Sequence, residues 1–292
     1  MRTRREPAGG CQTRVRHVSD TDAAAFTACA LAAMLALPCA FAQQPGAQDA
    51  TAEHVAKQLA NPIAALISVP FQFNWDRDVG PARDGRKFYL NFQPVVPFSI
   101  TPEWNVISRT IVPIVDQHVP SFGDGSQSGI GDITQSFFFS PALPTAAGVI
   151  WGVGPAILVP TDTDFISANK WGLGPTAVVL RQHGPWTYGF LTNHIWSVGG
   201  SGREELSNTF VQPFLSYTTK DAWTFTLQTE STYDWRHSQW NLPLTAQVAK
   251  VVRIGALPVN LGVGTRYYVD SPETGSHGWS ARLIVTFVFP RK

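Results

Sequence analysis

Three neighbouring His–Ser pairs are the residues here best suited by type to covalent chemistry, because a serine hydroxyl needs a base within hydrogen-bond reach to act as a nucleophile. They occur in "RHSQ" (His237, Ser238), "SHGWS" (His277, Ser280) and "NHIWS" (His194, Ser197). The offsets are one and three, both odd, so in extended chain each pair points to opposite faces. No catalytic residue is assigned and no enzyme is expected; an esterase would need a loop to bring base and nucleophile together. The glycine pairs Gly152/Gly154, Gly172/Gly174 and Gly262/Gly264 could suggest a nucleotide loop. None completes G-x-G-x-x-G between a strand and a helix, and no Walker lysine follows. They read instead as small residues where strands bend or crowd one another. Acids gather at Asp124 and Asp132 and at Asp162 and Asp164. A hard cation wants six to eight oxygens, and neither group matches an EF-hand loop. The expectation is no metal and no cofactor.

A further polar set is Arg109, Gln228, Glu230, Asp234, Gln247, Arg266 and Arg282. What these residues can do depends on the segments that carry them. In "WTFTLQTESTYDW", Trp223, Phe225, Leu227, Thr229, Ser231, Tyr233 and Trp235 share one face, and Thr224, Thr226, Gln228, Glu230, Thr232 and Asp234 the other. Successive side chains of a strand point to opposite faces. One face is therefore aromatic at both ends and apolar between, which is the pattern of a strand that crosses a bilayer around a polar interior. Trp240–Val248, Val259–Tyr267, Phe88–Phe98 and Trp279–Phe289 alternate in the same way.

About twelve such segments follow one another, near 66–76, 87–100, 104–116, 129–140, 148–160, 172–182, 186–198, 209–219, 223–235, 240–253, 258–268 and 278–290. Their connections mostly alternate between long ("DRDVGPARDGR", "TDTDFISANK") and tight ("TPE", "QHGP", "TKDA"), as extracellular loops and periplasmic turns do, and a short one near "RHSQ" breaks the trend. Charges that faced lipid would each cost about 2–4 kcal/mol at the midplane, so the polar set is expected to line the lumen. It would serve either as ion pairs that hold the barrel shut or as the wall of a pore. The aromatic belt is expected at Trp151, Trp171, Trp186, Trp196, Trp223, Tyr233, Trp235, Trp240, Trp279 and Phe289.

The N-terminus agrees with this setting. Five arginines in residues 1–22, the apolar run "AAAFTACALAAMLALPCAFA" and the small-residue end Ala40-Phe41-Ala42 predict a secretory signal peptide over 1–42. Its removal takes all three cysteines, which excludes thiol chemistry and disulfides from 43–292. Lys+Arg falls from 22 by 5 to 17 and Asp+Glu from 21 by 3 to 18, so no basic excess points to nucleic acid. Residues 43–62 form a separate N-terminal segment. Val55 and Leu59 at i, i+4 predict a short helix from about Thr51 to Ala60, read as a periplasmic tail or as a plug across a barrel mouth.

The stretches "KWGLGPTAVVLRQHGPWTYGFLTNHIWS", "FVQPFLSYTT", "TESTYDW" and "GTRYY" resemble a family of proteobacterial outer-membrane transporters named for the meta-pathway of phenol degradation. The resemblance runs from about Ile63 to Pro290. It implies a β-barrel and passage of small organic compounds, and it carries no catalytic or binding residue across. Phe289 occupies the place of the terminal aromatic found in many such barrels, followed here by Pro290-Arg291-Lys292.

The expectation is thus an all-β chain: a transmembrane antiparallel β-barrel of about twelve strands over 63–292, in the outer membrane of a Gram-negative cell. Its partners would be membrane lipid and lipopolysaccharide, the barrel assembly machinery and a small organic solute. The alternatives are a closed structural or adhesive barrel and an exported soluble β protein that binds a ligand. One duplication remains. "WGVGP" (Trp151–Pro155) and "WGLGP" (Trp171–Pro175) would head two successive strands of opposite direction, with tryptophans at opposite interfaces and glycines inward. Proline has no ladder donor, so a β-bulge is expected at Pro155 and at Pro175.

Overall fold

The computed structural model describes residues 47–289 except Asp124, Asp162, Asp164, Phe165 and Arg203. The signal-peptide expectation over 1–42, the loop acids Asp124, Asp162 and Asp164, and the tail Pro290–Lys292 lie outside the described residues. Helix α1 (Ala47–Leu59) comes first. Twelve traversals follow: β1 (Ile67–Val79), β2 (Gly85–Phe92 continued by Val95–Ser99), β3 (Trp104–His118), β4 (Ser126–Ile130 and Ile133–Pro141), β5 (Val149–Val159), β6 (Lys170–His183), β7 (Trp186–Gly200), β8 (Ser207–Thr218), β9 (Trp223–Thr229 and Ser231–Asp234), β10 (Gln239–Ile254), β11 (Leu257–Asp270) and β12 (Gly278–Phe289). All neighbours are antiparallel, and β1 pairs with β12 from Ile67↔Phe289 to Asp76↔Ser280, which closes the barrel.

Alternation sets the inside and the outside. On β6, Trp171, Leu173 and Pro175 are exposed, and Gly172, Thr176, Val178 and Leu180 are buried inward. Only about 9–11 residues are needed to span a bilayer in a tilted strand, whereas β10 has 16. The strands therefore continue past the membrane. This accounts for one boundary difference: "DRDV" is the end of β1 and not the start of a loop, because Asp76 still points inward and Arg77 outward. The helix likewise begins at Ala47, earlier than Thr51.

The expected bulges at Pro155 and Pro175 are absent. The two prolines sit directly opposite each other in an unbroken β5–β6 register, from Val149↔Arg181 to Leu158↔Gly172. The interruptions fall on their outer sides. Pairing of β4 with β5 skips from Ser136↔Ala156 to Phe139↔Val153, and pairing of β6 with β7 skips from Leu173↔Trp196 to Thr176↔Asn193, without a change of register at either gap. The register shift in β6 lies between Trp171 and Gly172 instead. In an antiparallel ladder a residue donates to one neighbour only. Each proline withholds its donor from the strand away from its twin, so the shared ladder loses nothing. The glycines before them explain the close approach: a Cβ on Gly154 would lie 1.9 Å from the Phe137 carbonyl oxygen, and one on Gly174 would lie 1.7 Å from that of His194.

Inside the barrel an apolar cluster joins Val95, Ile107, Phe138, Val178, Leu180, Leu191 and Phe214. Ile63, from the link between α1 and β1, is buried in its midst. On α1, Ala56 packs with Ala222 and Val251, and Val55 and Leu59 reach Ala64, Leu66 and Val288. The side-chain amide of Gln182 donates to the Lys57 carbonyl at 2.8 Å. The helix thus lies across the end of the barrel where β6, β8 and β12 finish and β7 and β9 begin. No helix among the described residues is long and apolar enough to cross a membrane.

Candidate functional site

All ten tryptophans lie on the outer face. Trp104, Trp151, Trp186 and Trp223 circle the end that carries α1. Trp75, Trp171, Trp196, Trp235, Trp240 and Trp279 circle the other. Trp104 and Trp151 meet edge to face at 6.0 Å, and Tyr233 and Trp240 lie 4.8 Å apart. Between the rings lie exposed Val153, Val179, Phe225, Leu227, Leu244, Leu261 and Val263. A continuous apolar wall with an aromatic girdle at each edge is a lipid-facing surface. Phe289 is exposed at the α1 end, and Trp151 is half-buried by its ring neighbour.

The inner face is unequal. Opposite the apolar cluster, β1, β2, β9, β11 and β12 carry a hydrogen-bonded polar arc. Arg282 makes a two-pronged ion pair with Glu230, at 2.6 and 3.1 Å. Its Nε donates to the Asn74 Oδ1 at 2.7 Å, and Arg266 donates to the same oxygen at 2.6 Å. Arg266 also reaches the hydroxyls of Tyr89 and Tyr268. Tyr268 in turn donates to Asp76 Oδ2 at 2.9 Å, as Ser276 does at 2.7 Å. The side chains of Asn74, Asp76, Arg266 and Arg282 are almost wholly buried. A buried charge is tolerated only when paired and hydrogen-bonded; the network supplies most of this and leaves Asp76 Oδ1 and Arg266 Nε without a hydrogen bond among the described residues.

Around this arc the remaining polar residues fall into place. Gln228 accepts from Gln212 and donates to Glu230. Gln247 faces a chamber of about 180 Å³ between the arc and α1, together with Gln72, Gln93, Thr226 and Asn260. Arg109 borders the same chamber and donates to Gln93 at 3.3 Å, and Gln93 donates to Gln72 at 3.1 Å. Asp234 stands apart at the far rim. With Glu204, His237, Gln239 and Asn241 it borders an open vestibule of about 520 Å³. There it accepts from the His237 ring at 2.8 Å, and this bond holds His237 above its ordinary pKa. At the same rim Lys170 donates to Glu205 at 2.7 Å, which holds that carboxyl below its usual range.

The structure therefore brings Glu230, Arg266, Arg282 and Gln228 together, puts Arg109 and Gln247 in the chamber, and leaves Asp234 on the rim. Sequence reading missed Asn74, Asp76, Lys87, Tyr89 and Tyr268. Strand parity places all five inward, but "DRDVGPARDGR" reads as loop from Asp76 up to the edge of Lys87, and Asn74, Tyr89 and Tyr268 carry no charge to single them out. Of the His–Ser pairs, none is joined: His237 meets Asp234, His277 meets Ser271, and His194 meets Thr209.

No protein-family model matches the chain, and no curated protein does. Solved structures do. An outer-membrane channel from Pseudomonas putida F1 superposes with a TM-score of 0.61 at 14% identity, covering 77% of this chain and 96% of that one. The NanC porin follows at 0.46 and 10% identity, covering 77% and 100%. The β-domain of the Bordetella autotransporter BrkA stands at 0.45 and 11%, covering 77% and 100%. The fold is an outer-membrane β-barrel.

Proposed function

We propose that this protein is an outer-membrane channel for passive passage of small organic solutes, closed in this conformation by its own N-terminal segment. The observation that carries the reading is the series of polar spaces along the axis: a vestibule, an arginine-rich arc, then a chamber that ends at α1. Pore diameter and wall chemistry select solutes in such a channel, and no step here needs covalent chemistry. The N-terminal segment is the moving part in this reading, since among the described residues Ile63 and one face of α1 hold it by apolar contacts, with the Gln182 bond beside them. Aromatic solutes are the narrower proposal, resting on the sequence resemblance.

The opposing reading is a closed structural barrel, which the Glu230–Arg282 pair and the seated Ile63 both favour. Conductance decides between them. Purified, folded barrel in planar bilayers is expected to open discrete steps, and a liposome-swelling series across phenolics, sugars and amino acids ranks the solutes. A folded barrel that never conducts and never swells liposomes refutes the channel.

A further inference from the structure

We infer that the chamber beneath the arginine-rich arc is a binding site for a small organic monocarboxylate, anchored by the Arg109 guanidinium. The inference rests on the channel reading only for its biological use; the site itself stands on the geometry. Four cations point inward along the mid-lumen, Lys87, Arg109, Arg266 and Arg282, against two carboxylates, Asp76 and Glu230. Arg282 is matched by Glu230, and Arg266 neighbours Asp76 at 4.0 Å. Lys87 and Arg109 have no ion pair among the described residues. Lys87 stands over the Tyr89 ring. Arg109 is different, because it opens on a space.

That space carries one charge. Among the described residues that line it, Arg109 is the charged one; the rest of the polar wall is amide and hydroxyl. The partner the structure gives Arg109 is the neutral amide of Gln93. A guanidinium offers five donors in a planar fork that matches a carboxylate, so most of its bonding capacity remains for a ligand. Leu59, Leu66, Val95 and Ile284 supply an apolar side to the chamber, which suits a hydrocarbon body behind the carboxylate. The volume of about 180 Å³ is below the roughly 300–1,000 Å³ of sites for drug-sized ligands, so the anion is small. A dianion would leave one charge against amides and apolar carbon and is disfavoured on the same ground.

The test uses the full barrel in detergent, titrated calorimetrically with benzoate and with benzamide, which has the same shape without the charge. Benzoate is expected to bind at least tenfold more tightly than benzamide. Arg109→Gln removes that preference and leaves benzamide unchanged, and Arg109→Lys restores part of it. Gln247→Glu, which puts a carboxylate into the chamber, weakens benzoate without touching Arg109, and so serves if R109Q does not fold. Equal binding of the two probes, no binding of either, or a benzoate preference that survives R109Q overturns the inference. A barrel that conducts yet fails these tests keeps its channel and loses the site. One that binds benzoate through Arg109 but never conducts keeps the site and loses the channel.

Discussion

The two halves of the lumen wall obey the same alternation and end in opposite chemistry. On β3, β4 and β6 to β8 the inward residues include Ile107, Phe138, Val178, Leu180, Leu191 and Phe214, packed around Ile63. On β1, β2, β9, β11 and β12 they include Asn74, Tyr89, Glu230, Arg266 and Arg282, joined by hydrogen bonds. The apolar half can hold a segment of its own chain by burial, without directional bonds, and can release it for the cost of that burial. The polar half cannot release anything so simply, since its members are tied to one another by directional hydrogen bonds. The N-terminal segment therefore seats on one side, and the hydrogen-bonded charges lie on the other.

The sharpest way to break this comparison is to strip one partner from the polar half. Glu230→Gln leaves Arg282 buried without its carboxylate, and losing one member of a buried pair typically costs about 3–5 kcal/mol. Urea unfolding from lipid vesicles should show a loss of that order, with the Arg282→Met, Glu230→Gln double variant recovering much of it. A near-neutral single variant would mean that water, and not Glu230, satisfies Arg282. In the apolar half, Ile63→Ala should loosen the plug by about 2–4 kcal/mol. Its mark is a more frequently open channel in bilayer recordings with an unchanged barrel melting curve. If the barrel destabilises with the plug, the two are one unit and the contrast between halves fails.

A smaller effect sits within the backbone of the apolar half. Gly174→Ala must push its Cβ away from the His194 carbonyl, and overpacking of this kind costs about 1–3 kcal/mol. Hydrogen exchange should speed up on β6 and β7 and leave β10 to β12 unchanged. The smallest lies at the rim. Asp234 raises the pKa of His237, so the contribution of that bond to loop order is present below the ordinary histidine value of about 6.5 and fades as pH climbs through the raised one. An NMR titration of the His237 ring should give a pKa above the free value that returns to it in Asp234→Asn; an unshifted wild-type ring rejects the bond.

Much of the barrel is legible residue by residue. Trp223 through Trp235 announces both faces of β9, and Trp151 and Trp171 belong to opposite girdles because β5 and β6 run in opposite directions. The site is legible only in parts. Arg266 and Arg282 are visible as inward charges, yet nothing local says that they meet at the Asn74 amide, about 200 residues away in sequence. Asp76 is hidden because acids, glycine and proline crowd the same stretch and read as loop.

Sequence alone determined the class and the two faces of the strands, because a two-residue period acts locally along each strand. Tertiary structure decided what the prolines do, where Ile63 is buried, and which inward charges meet. Each of these depends on how far around the barrel two strands stand from one another. Closure fixes that distance through the register of all twelve pairings together, and no single segment contains it.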